Sequence, residues 1–383
     1  MSLSRRSFLR TAAAGSAGLA ALPLIVGRGR ESLMAQGNSR KADRLMAAQP
    51  GVIRIDSNEN PNGPGERVFA AIRGHLSESN RYPVVSEDDL TAAIAATHRI
   101  KPEQVILGCG SGELLRAAVN GFTTRDRGIV SPEPTFEAPA NWARFIGVPV
   151  IPVGVDSALR LDLGAMADRG KGAGLVYLCN PNNPTATVLG DGAITEYVER
   201  VNRSSPETTV LIDEAYFEYV DLPDYRTAIP MALANPRVVI TRTFSKVFGM
   251  AGLRVGYAVG QPAALERMAP WLLGSNVSQL TLVAAATAVG DRAHIALEQR
   301  RNRATRAWTR SWFEKAGYRV AEADANFMMV DIRRDAKQFK LDCIKQKVAV
   351  GRQFPSHPTW TRVSVGTAAE MRKAIQVFSA VLG

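Results

Sequence analysis

The sequence predicts an α/β fold in which a mostly parallel sheet lies between two layers of helices. From about residue 105 to residue 260, apolar runs of strand length alternate with longer amphipathic segments. Runs that are apolar throughout are typical of strands covered on both faces, as in parallel sheets. The alternation also supplies the helix that each parallel crossover needs. The pattern changes near residue 270, which predicts a second, smaller α/β domain.

The predicted main sheet has seven strands, one for each apolar run. These runs are residues 105–110, 128–132, 148–153, 175–181, 209–216, 237–244 and 255–260. Helical segments lie between most of them, including residues 113–122, 137–147 and 194–203. A long helical stretch over residues 278–315 comes next, and strand candidates follow at residues 326–332 and 362–367. We therefore expect a large domain over residues 61–270 and a small domain over residues 271–383.

Composition excludes several classes of function. A chain of 383 residues with 46% hydrophobic residues can bury a sizeable core. The formal charge is +11, but five arginines and one glutamate in the first 35 residues account for +4 of it. The remaining +7 is diffuse, without a basic cluster with interleaved aromatic residues, so we expect no nucleic-acid partner. The cysteines are few, odd in number and widely spaced, which argues against a disulfide framework and against a metal site: Cys109, Cys179 and Cys343.

The N-terminus resembles a twin-arginine export signal. Arg5 and Arg6 are followed by Phe8 and Leu9 and then by a run of small apolar residues over 11–27. Residues 1–35 are the predicted signal and residues 36–60 an N-terminal arm. The resemblance implies a periplasmic or otherwise extracytoplasmic protein with no stable membrane span once the leader is removed. The alternatives are a short membrane anchor and a basic amphipathic helix.

Short polar clusters follow five of the predicted strands. They are residues 108–113, 131–136, 180–185, 213–216 and 243–246. In open α/β sheets, ligands bind beyond the carboxyl ends of the strands. One polar cluster is ordinary loop chemistry, but five at equivalent positions predict one assembled site.

These clusters resemble the fold-type-I enzymes that use pyridoxal phosphate, and among them the class I/II aminotransferases of the histidinol-phosphate aminotransferase-like group. The matching strings are NENPNGP (58–64), RYP (81–83), GCGSGELL (108–115), PTF (134–136), NPNNPT (180–185), DEAY (213–216), FSKVFGMAGLRVGY (244–257) and RVSVGT (362–367). The resemblance covers the chain from about residue 50 to the C-terminus. It implies the PLP-transferase type I fold, pyridoxal 5'-phosphate as cofactor, an amino acid and a 2-oxo acid as substrates, and a homodimer.

Lys246 matches the family lysine that bonds covalently to the cofactor aldehyde. An ε-amine must be neutral to add to an aldehyde, so we expect burial and nearby positive charge, with Arg254 as one source, to lower its pKa. The alternative is an exposed lysine at a strand end.

Asp213 closes an apolar strand, where an acid is costly to bury without a cationic partner. By resemblance that partner is the pyridine nitrogen, which the carboxylate keeps protonated. Tyr216 and Asn183 match the residues that bond the cofactor's 3-hydroxyl. The alternative for these residues is hydrogen bonding at strand ends.

The cofactor phosphate needs hydrogen-bond donors and positive charge. Gly110, Ser111 and Gly112 lie between a strand and a helix, where backbone amides can meet a dianion. The glycines have a purely structural alternative as turn residues.

Three side chains are expected to complete the phosphate site within the chain: Arg254, Thr243 and Ser245. Tyr82 matches the family tyrosine that reaches the phosphate of the neighbouring subunit. If it does so, the active unit is a dimer.

The substrate side is predicted from the remaining matches. Phe136 occupies the family position of the ring over the pyridine face, with core packing as its alternative. Arg362 matches the arginine that holds the substrate's acidic group, and Arg352 is a candidate for the distal group or for a surface ion pair. Asn60 and Asn62 of the NENPNGP string are predicted to bind substrate.

Three departures weaken the expectation that histidinol phosphate itself is the substrate. Asn62 stands where the family commonly has an aromatic residue. Ala186 replaces the glycine that follows NPNNPT, a change that can alter the turn. The third departure is export, because a phosphorylated biosynthetic intermediate is not expected outside the cytoplasm.

The sequence therefore predicts an aminotransferase that moves an amino group between an amino acid, aromatic or histidinol-phosphate-like, and a 2-oxo acid. Phe136, Trp142 and Phe354 are candidates for an apolar wall. One alternative is an exported lyase, decarboxylase or oxidase with the same cofactor, because these reactions share the same cofactor-bound substrate. The other is a binding protein that keeps the fold without catalysis.

Overall fold

The computed structural model describes residues 46–383, and residues Val52–Gly383 form one compact unit. The predicted export signal over residues 1–35 lies outside the described residues, as do residues 36–45 of the predicted arm. The elements below belong to the compact unit. The predicted division near residue 270 stays a prediction.

The main sheet has seven strands, as predicted. They are β2 (Val105–Gly108), β3 (Ile129–Glu133), β4 (Val150–Gly154), β5 (Leu175–Cys179), β6 (Thr209–Asp213), β7 (Val238–Thr243) and β8 (Gly256–Val259). Their order is β2-β8-β7-β6-β5-β3-β4. β8 is antiparallel to β2 and β7, and the other pairs are parallel. The prediction of a mostly parallel sheet is confirmed.

Helices surround this sheet. They are α1 (Glu66–Gly74), α2 (Val84–His98), α3 (Ser111–Phe122), α4 (Ala138–Phe145), α5 (Leu163–Arg169), α6 (Asp191–Ser204), α7 (Ile229–Ala234) and α8 (Pro262–Met268). Alternate residues of a strand point to opposite faces. In β5, Val176 and Leu178 join one buried core, while Leu175 and Tyr177 join the other. Both faces of the sheet are therefore buried, which is why its strands are apolar throughout.

The prediction of one long helical stretch over residues 278–315 is wrong, because this part of the chain forms two helices. They are α9 (Gln279–Val289) and α10 (Arg292–Lys315), bent by 79° at the break. Gly290 ends α9, and the Asp291 carboxylate accepts the backbone N–H of His294 at 3.1 Å. This N-cap starts a new helix where the periodicity alone suggested continuity.

A second sheet lies in the C-terminal part. Its strands, in the order β12-β10-β9, are β9 (Arg319–Val320), β10 (Phe327–Asp331) and β12 (Trp360–Ser364). β1 (Ile53–Ile55) pairs in parallel with β11 (Val348–Val350), and the last helices are α11 (Ala336–Lys345) and α12 (Ala368–Leu382). The sequence predicted β10 and β12. It missed β1, β9 and β11 because strands of two or three residues carry no clear alternation.

No single helix in the described part of the chain has the length and apolar character to cross a membrane; α9 and α10 pass that test only when taken together as a bent pair.

The topology brings the five polar clusters to one edge of the main sheet. β3, β5, β6 and β7 are parallel, so their carboxyl ends lie together. β2 runs in the same direction because β8, between β2 and β7, is antiparallel to both. The chain after β1 also reaches this edge, as the contacts of Asn58 show below.

Candidate active site

Lys246 lies three residues after β7, at the shared edge of the sheet. Its Nζ donates to the backbone oxygen of Asn58 at 3.0 Å and lies 5.3 Å from the centroid of the Tyr216 ring. Burial lowers the pKa of Lys246 to about 8, and Arg362 is the next largest cause, with a smaller effect from Arg254. The predicted lowering is present, and more of the positive field comes from Arg362 than from Arg254. A neutral amine is therefore available near neutral pH.

Asn58 organises the site around this amine. Its backbone oxygen accepts from Lys246 and, at 3.0 Å, from Nδ2 of Asn326. Its own Nδ2 donates to the Tyr216 hydroxyl at 3.2 Å, and its Oδ1 accepts from Ser364 Oγ at 2.8 Å. The residue has φ +54°, a left-handed conformation that asparagine tolerates better than most residues. Asn58 belongs to the string NENPNGP, but its role depends on contacts with residues distant in the sequence and was not predicted.

Asp213 is buried at the end of β6 between neutral donors. Its carboxylate accepts from the hydroxyls of Tyr177 and Thr241, each at 3.1 Å. Burial raises the pKa of Asp213 to about 6, although these hydrogen bonds oppose the rise. Among residues 46–383, no arginine, lysine or histidine nitrogen is paired with this carboxylate. The carboxylate can therefore pair with a cationic group of a bound ligand, because no cation of the described chain is paired with it.

Tyr216, Asn183 and Arg362 form a chain of contacts beside the lysine. The Tyr216 hydroxyl accepts from Nδ2 of Asn183 at 3.3 Å. Asn183 Oδ1 accepts from Arg362 Nη1 at 2.8 Å, and Arg362 Nη2 donates to the backbone oxygen of Asp56 at 2.5 Å. Arg362 Nε is buried without a partner in the described part of the protein. The structure therefore brings these three predicted residues together. The unpaired Nε–H of Arg362 can donate a hydrogen bond to a bound ligand.

The predicted phosphate residues form a cradle at the start of α3. Gly110 has φ +74°, and a Cβ there would overlap Nη2 of Arg254. Arg254 Nη1 lies 3.4 Å from Ser245 Oγ, which also accepts from Thr243 Oγ1 at 2.9 Å. Ser111 and Gly112 begin the helix, and no side chain of the described residues caps it. Free amides at a helix N-terminus beside a guanidinium suit a phosphate dianion.

These groups fit pyridoxal phosphate. The cradle of free helix amides beside Arg254 suits its phosphate. The carboxylate of Asp213, which has no paired cation, suits its ring nitrogen, and the Tyr216 hydroxyl suits its phenolic oxygen. When bound, the group supplies an aldehyde for a lysine and a ring that withdraws electrons from the substrate carbon next to the amino group. Lys246 Nζ can hold or deliver a proton on the side where Arg362 would orient the substrate. Asp213 would keep a positive charge on the ring.

The other predicted substrate residues lie around this centre. Asn60 Nδ2 donates to the Val247 backbone oxygen at 2.9 Å, and Asn60 Oδ1 accepts the Asn62 backbone N–H at 3.0 Å. Asn62 Nδ2 donates to Glu298 at 2.7 Å. These asparagines fix the chain that carries Asn58, and their contact with substrate stays a prediction.

Arg352 forms an ion pair with Glu137, with Nη2 2.7 Å from Oε1. The alternative that it makes an ion pair is therefore observed, and its predicted contact with substrate stays a prediction. Phe136, next to Glu137, is 38% exposed and is not simply a core residue. Trp142, a candidate for the apolar wall, lies on α4 and donates to Asn120 at 3.1 Å.

Ala186 lies in a turn with left-handed backbone geometry. Ala186 adopts φ +62°, and its N–H donates to the Asn182 backbone oxygen at 2.7 Å. The Thr135 hydroxyl bonds Asn182 Oδ1 at 2.7 Å, which ties this turn to the loop that carries Phe136. A non-glycine residue in this conformation costs about 1–2 kcal/mol.

Tyr82 is 87% exposed, just before α2. Within the described part of this single chain, Tyr82 does not contact Lys246. Its predicted reach into a neighbouring subunit stays a prediction. Among the described residues no group of three or more histidine, cysteine, aspartate or glutamate side chains could hold a metal ion.

The fold and the site define a transaminase that uses pyridoxal phosphate. The family model for aminotransferase class I and II matches residues 50–378, and the chain belongs to that family. It is 33% identical to the histidinol-phosphate aminotransferase of Moorella thermoacetica, over 86% of this chain and 86% of that protein. It is 31% identical to the aromatic amino acid aminotransferase of Cutibacterium acnes, over 85% of this chain and 92% of that protein.

Solved structures agree on the fold. The histidinol-phosphate aminotransferase from Sinorhizobium meliloti, in complex with pyridoxal-5'-phosphate, superposes with a TM-score of 0.82. The match covers 89% of this chain and 94% of that chain at 23% identity. The predicted fold type, enzyme class and cofactor are confirmed.

Proposed function

We propose that the protein transfers the amino group of an amino acid with an aromatic side chain to a 2-oxo acid, outside the cytoplasm and as a homodimer. The observation that carries the proposal is the position of Arg362. Its guanidinium bonds Asn183 at 2.8 Å, keeps one buried donor unpartnered and is a main cause of the lowered pKa of Lys246. A carboxylate held there would place its neighbouring amino group on the lysine side of the site.

The aromatic preference is supported by the surroundings of that anchor. Phe136, in the loop after β3, is 38% exposed, whereas Phe354 is buried beneath the Arg352 guanidinium, 4.3 Å from its ring centroid. Aromatic rings make favourable offset or edge contacts with another ring. The relative from Cutibacterium acnes is named for aromatic amino acids, whereas other relatives are named for histidinol phosphate.

The substrate is tested with the purified, cofactor-loaded protein and 2-oxoglutarate as acceptor. The donors are phenylalanine, tyrosine, tryptophan, leucine, aspartate and histidinol phosphate, and the readout is glutamate formed. We expect the highest kcat/KM with an aromatic donor. A clear preference for histidinol phosphate would contradict the proposed substrate. Release of carbon dioxide or ammonia from single amino acids, without glutamate formation, would favour the lyase, decarboxylase or oxidase alternative.

Export is proposed from the leader alone. The paired Arg5 and Arg6, followed by a small-residue apolar run, are the support for it. Residues 1–35 fused to a reporter protein that is active only when exported in the folded state provide the test. We expect export, and we expect it to be lost when both arginines are replaced by lysine. Export that survives this double change would contradict the twin-arginine route.

The homodimer is proposed from the exposed apolar residues around Tyr82. Val84 and Val85, at the start of α2, are also exposed in the single chain. Surfaces of this kind are typical of an interface. If Tyr82 serves the neighbouring site, a Tyr82→Ala chain mixed with a Lys246→Ala chain forms mixed dimers with one intact site. We expect activity to return on mixing, and a mixture as inactive as each parent would contradict the shared site.

A further inference from the structure

A second charged pair borders the substrate side of the site. Glu137 directly follows Phe136 in the loop after β3, and Arg352 follows β11 closely. The pair joins Arg352 Nη2 to Glu137 Oε1 at 2.7 Å, and the two side chains are 32% and 35% exposed. The guanidinium also lies 4.3 Å from the centroid of the Phe354 ring. The positive charge of Arg352 is therefore balanced by the carboxylate of Glu137.

The pair lies next to the predicted carboxylate anchor. The backbone N–H of Gly351 donates to the Arg362 oxygen at 2.9 Å, and a Cβ at residue 351 would lie 3.0 Å from Arg362 Cβ. Burial lowers the pKa of Arg362; Arg352 lowers that pKa further, and Glu137 raises it. Both members of the pair are thus within electrostatic reach of the group that would bind the α-carboxylate. A substrate side chain extending past Arg362 meets this pair.

We propose that Glu137 determines the substrate class by cancelling the charge of Arg352, so that the site accepts uncharged aromatic side chains and discriminates against substrates with a distal carboxylate or phosphate. This inference rests on the proposed function and deepens it. An anion that approached Arg352 would have to displace the Glu137 carboxylate or lie beside it, and like charges so placed are strongly unfavourable. A neutral ring next to Phe136 and the Arg352 guanidinium, which covers the buried Phe354 ring, meets no such cost.

The experiment measures binding of three unreactive acids that share one carboxylate and differ at the other end. These are 3-phenylpropionate, glutarate and 3-phosphonopropionate, whose distal groups are neutral, singly charged and, at pH 8, mostly doubly charged. Dissociation constants are measured with the cofactor-loaded full chain by calorimetry, so the result does not depend on turnover. The variants are Glu137→Gln, the double variant Glu137→Gln with Arg352→Gln, and a matched control.

The control is Asp168→Asn, which removes a carboxylate from another partly exposed ion pair, with Arg200 at 2.8 Å. The helices of this pair, α5 and α6, run antiparallel to the strands that they connect. Their last turns therefore lie at the opposite edge of the sheet from the site. Any effect of net charge alone would appear in the control.

We expect Glu137→Gln to strengthen binding of 3-phosphonopropionate by about tenfold and of glutarate by about threefold, with 3-phenylpropionate changed less than about twofold. The control is expected to change none of the three, and the gain is expected to disappear in the double variant. Equal changes for all three acids, or no change, would overturn the inference. If transamination is absent for every donor but this binding pattern is found, the proposed function fails while the role of Glu137 stands.

Discussion

Two neighbouring carboxylates at the end of β6 have opposite surroundings. Asp213 lies on the lysine side and accepts only from neutral groups, the hydroxyls of Tyr177 and Thr241 and the backbone N–H of Ala215. Glu214 accepts two N–H bonds from Arg242, at 3.0 and 2.7 Å, and is buried with it. It also accepts from the hydroxyl of Thr227 and from one backbone N–H. Glu214 is therefore paired with a cation of the protein, whereas Asp213 is not paired with one among the described residues.

This difference shows that a buried charge can serve either the fold or the function of a protein. A buried ion pair with all its hydrogen bonds made is part of the fold, and breaking it leaves an uncompensated charge. A buried carboxylate with a raised pKa and no paired cation is a candidate for a functional group. The cofactor side of the sheet, defined by Asp213, Tyr216 and Lys246, therefore carries a stability cost that a bound cofactor can relieve. On the other side, the desolvation cost of Glu214 and Arg242 is offset by their mutual hydrogen bonds and opposite charges.

The largest expected effect is the loss of activity in Asp213→Asn. The amide keeps the shape but cannot stabilise a positive charge on the ring nitrogen. We expect kcat of the cofactor-saturated enzyme to fall by about 10³-fold or more, equivalent to about 4 kcal/mol. Stopped-assay rates at saturating cofactor measure it. A variant with more than a tenth of the normal kcat would contradict the assigned role, and Asp213→Glu is expected to recover part of the activity.

Stability should respond in the opposite way at the two acids. In cofactor-free protein, Glu214→Gln is expected to lower the free energy of unfolding by about 3 kcal/mol, because Arg242 loses its doubly hydrogen-bonded carboxylate and keeps only the contact with Glu218 at 3.5 Å. Asp213→Asn is expected to raise it at pH 8, by on the order of 2 kcal/mol, because burial raises the pKa of Asp213 to about 6 and its charged form is disfavoured. Urea unfolding of both variants without cofactor measures the difference.

The stabilising effect of Asp213→Asn is expected to depend on pH. Between about pH 4 and pH 6 the folded cofactor-free protein holds a proton on Asp213 that the unfolded chain has lost. The contribution of Asp213 to stability is therefore full below pH 4 and falls as the pH rises to 6. The advantage of Asp213→Asn should vanish near pH 4 and be complete above pH 6. An advantage independent of pH would contradict the raised pKa.

A smaller effect is expected at the phosphate cradle. Gly110→Ala places a methyl group against Arg254 at φ +74°, whereas Gly112 has open space around it. We expect Gly110→Ala to weaken cofactor binding by about tenfold, and Gly112→Ala to change it little. Absorbance titration of the cofactor-free protein measures both dissociation constants. Equal effects of the two changes would show that the cradle does not depend on the contact between Gly110 and Arg254.

The smallest expected effect is a shift in the pH profile of cofactor capture. Burial and Arg362 lower the pKa of Lys246 to about 8, so the rate of capture by cofactor-free protein should rise with an inflection near pH 8. Arg362→Leu should move the inflection to higher pH, by up to about one unit. Arg203→Leu, which removes an exposed arginine on α6, is the control. An inflection unchanged by loss of Arg362 would contradict its electrostatic role.

The sequence was sufficient to predict the strands of the main sheet and the residues proposed to carry the chemistry. All seven main strands were found from apolar runs, and the polar clusters after them marked Lys246, Asp213 and Tyr216. Arg254 was predicted as one source of the lowered pKa of Lys246, but the hydroxyl groups that contact Asp213 were not predicted. Tyr177 and Thr241 contact Asp213 only through the register of β5 and β7 on β6, which an apolar pattern does not reveal. Glu137 and Arg352 are 215 positions apart in the sequence, and only tertiary structure joins them.

We expect Lys246 to be the lysine that the cofactor modifies. Borohydride reduction of the cofactor-loaded protein makes a lysine–aldehyde bond permanent, and peptide mapping by mass spectrometry then locates the modified residue. We expect one modified peptide, containing Lys246, and none in Lys246→Arg protein treated in the same way. Modification at another lysine, or at no lysine in protein that has bound the cofactor, would contradict the account.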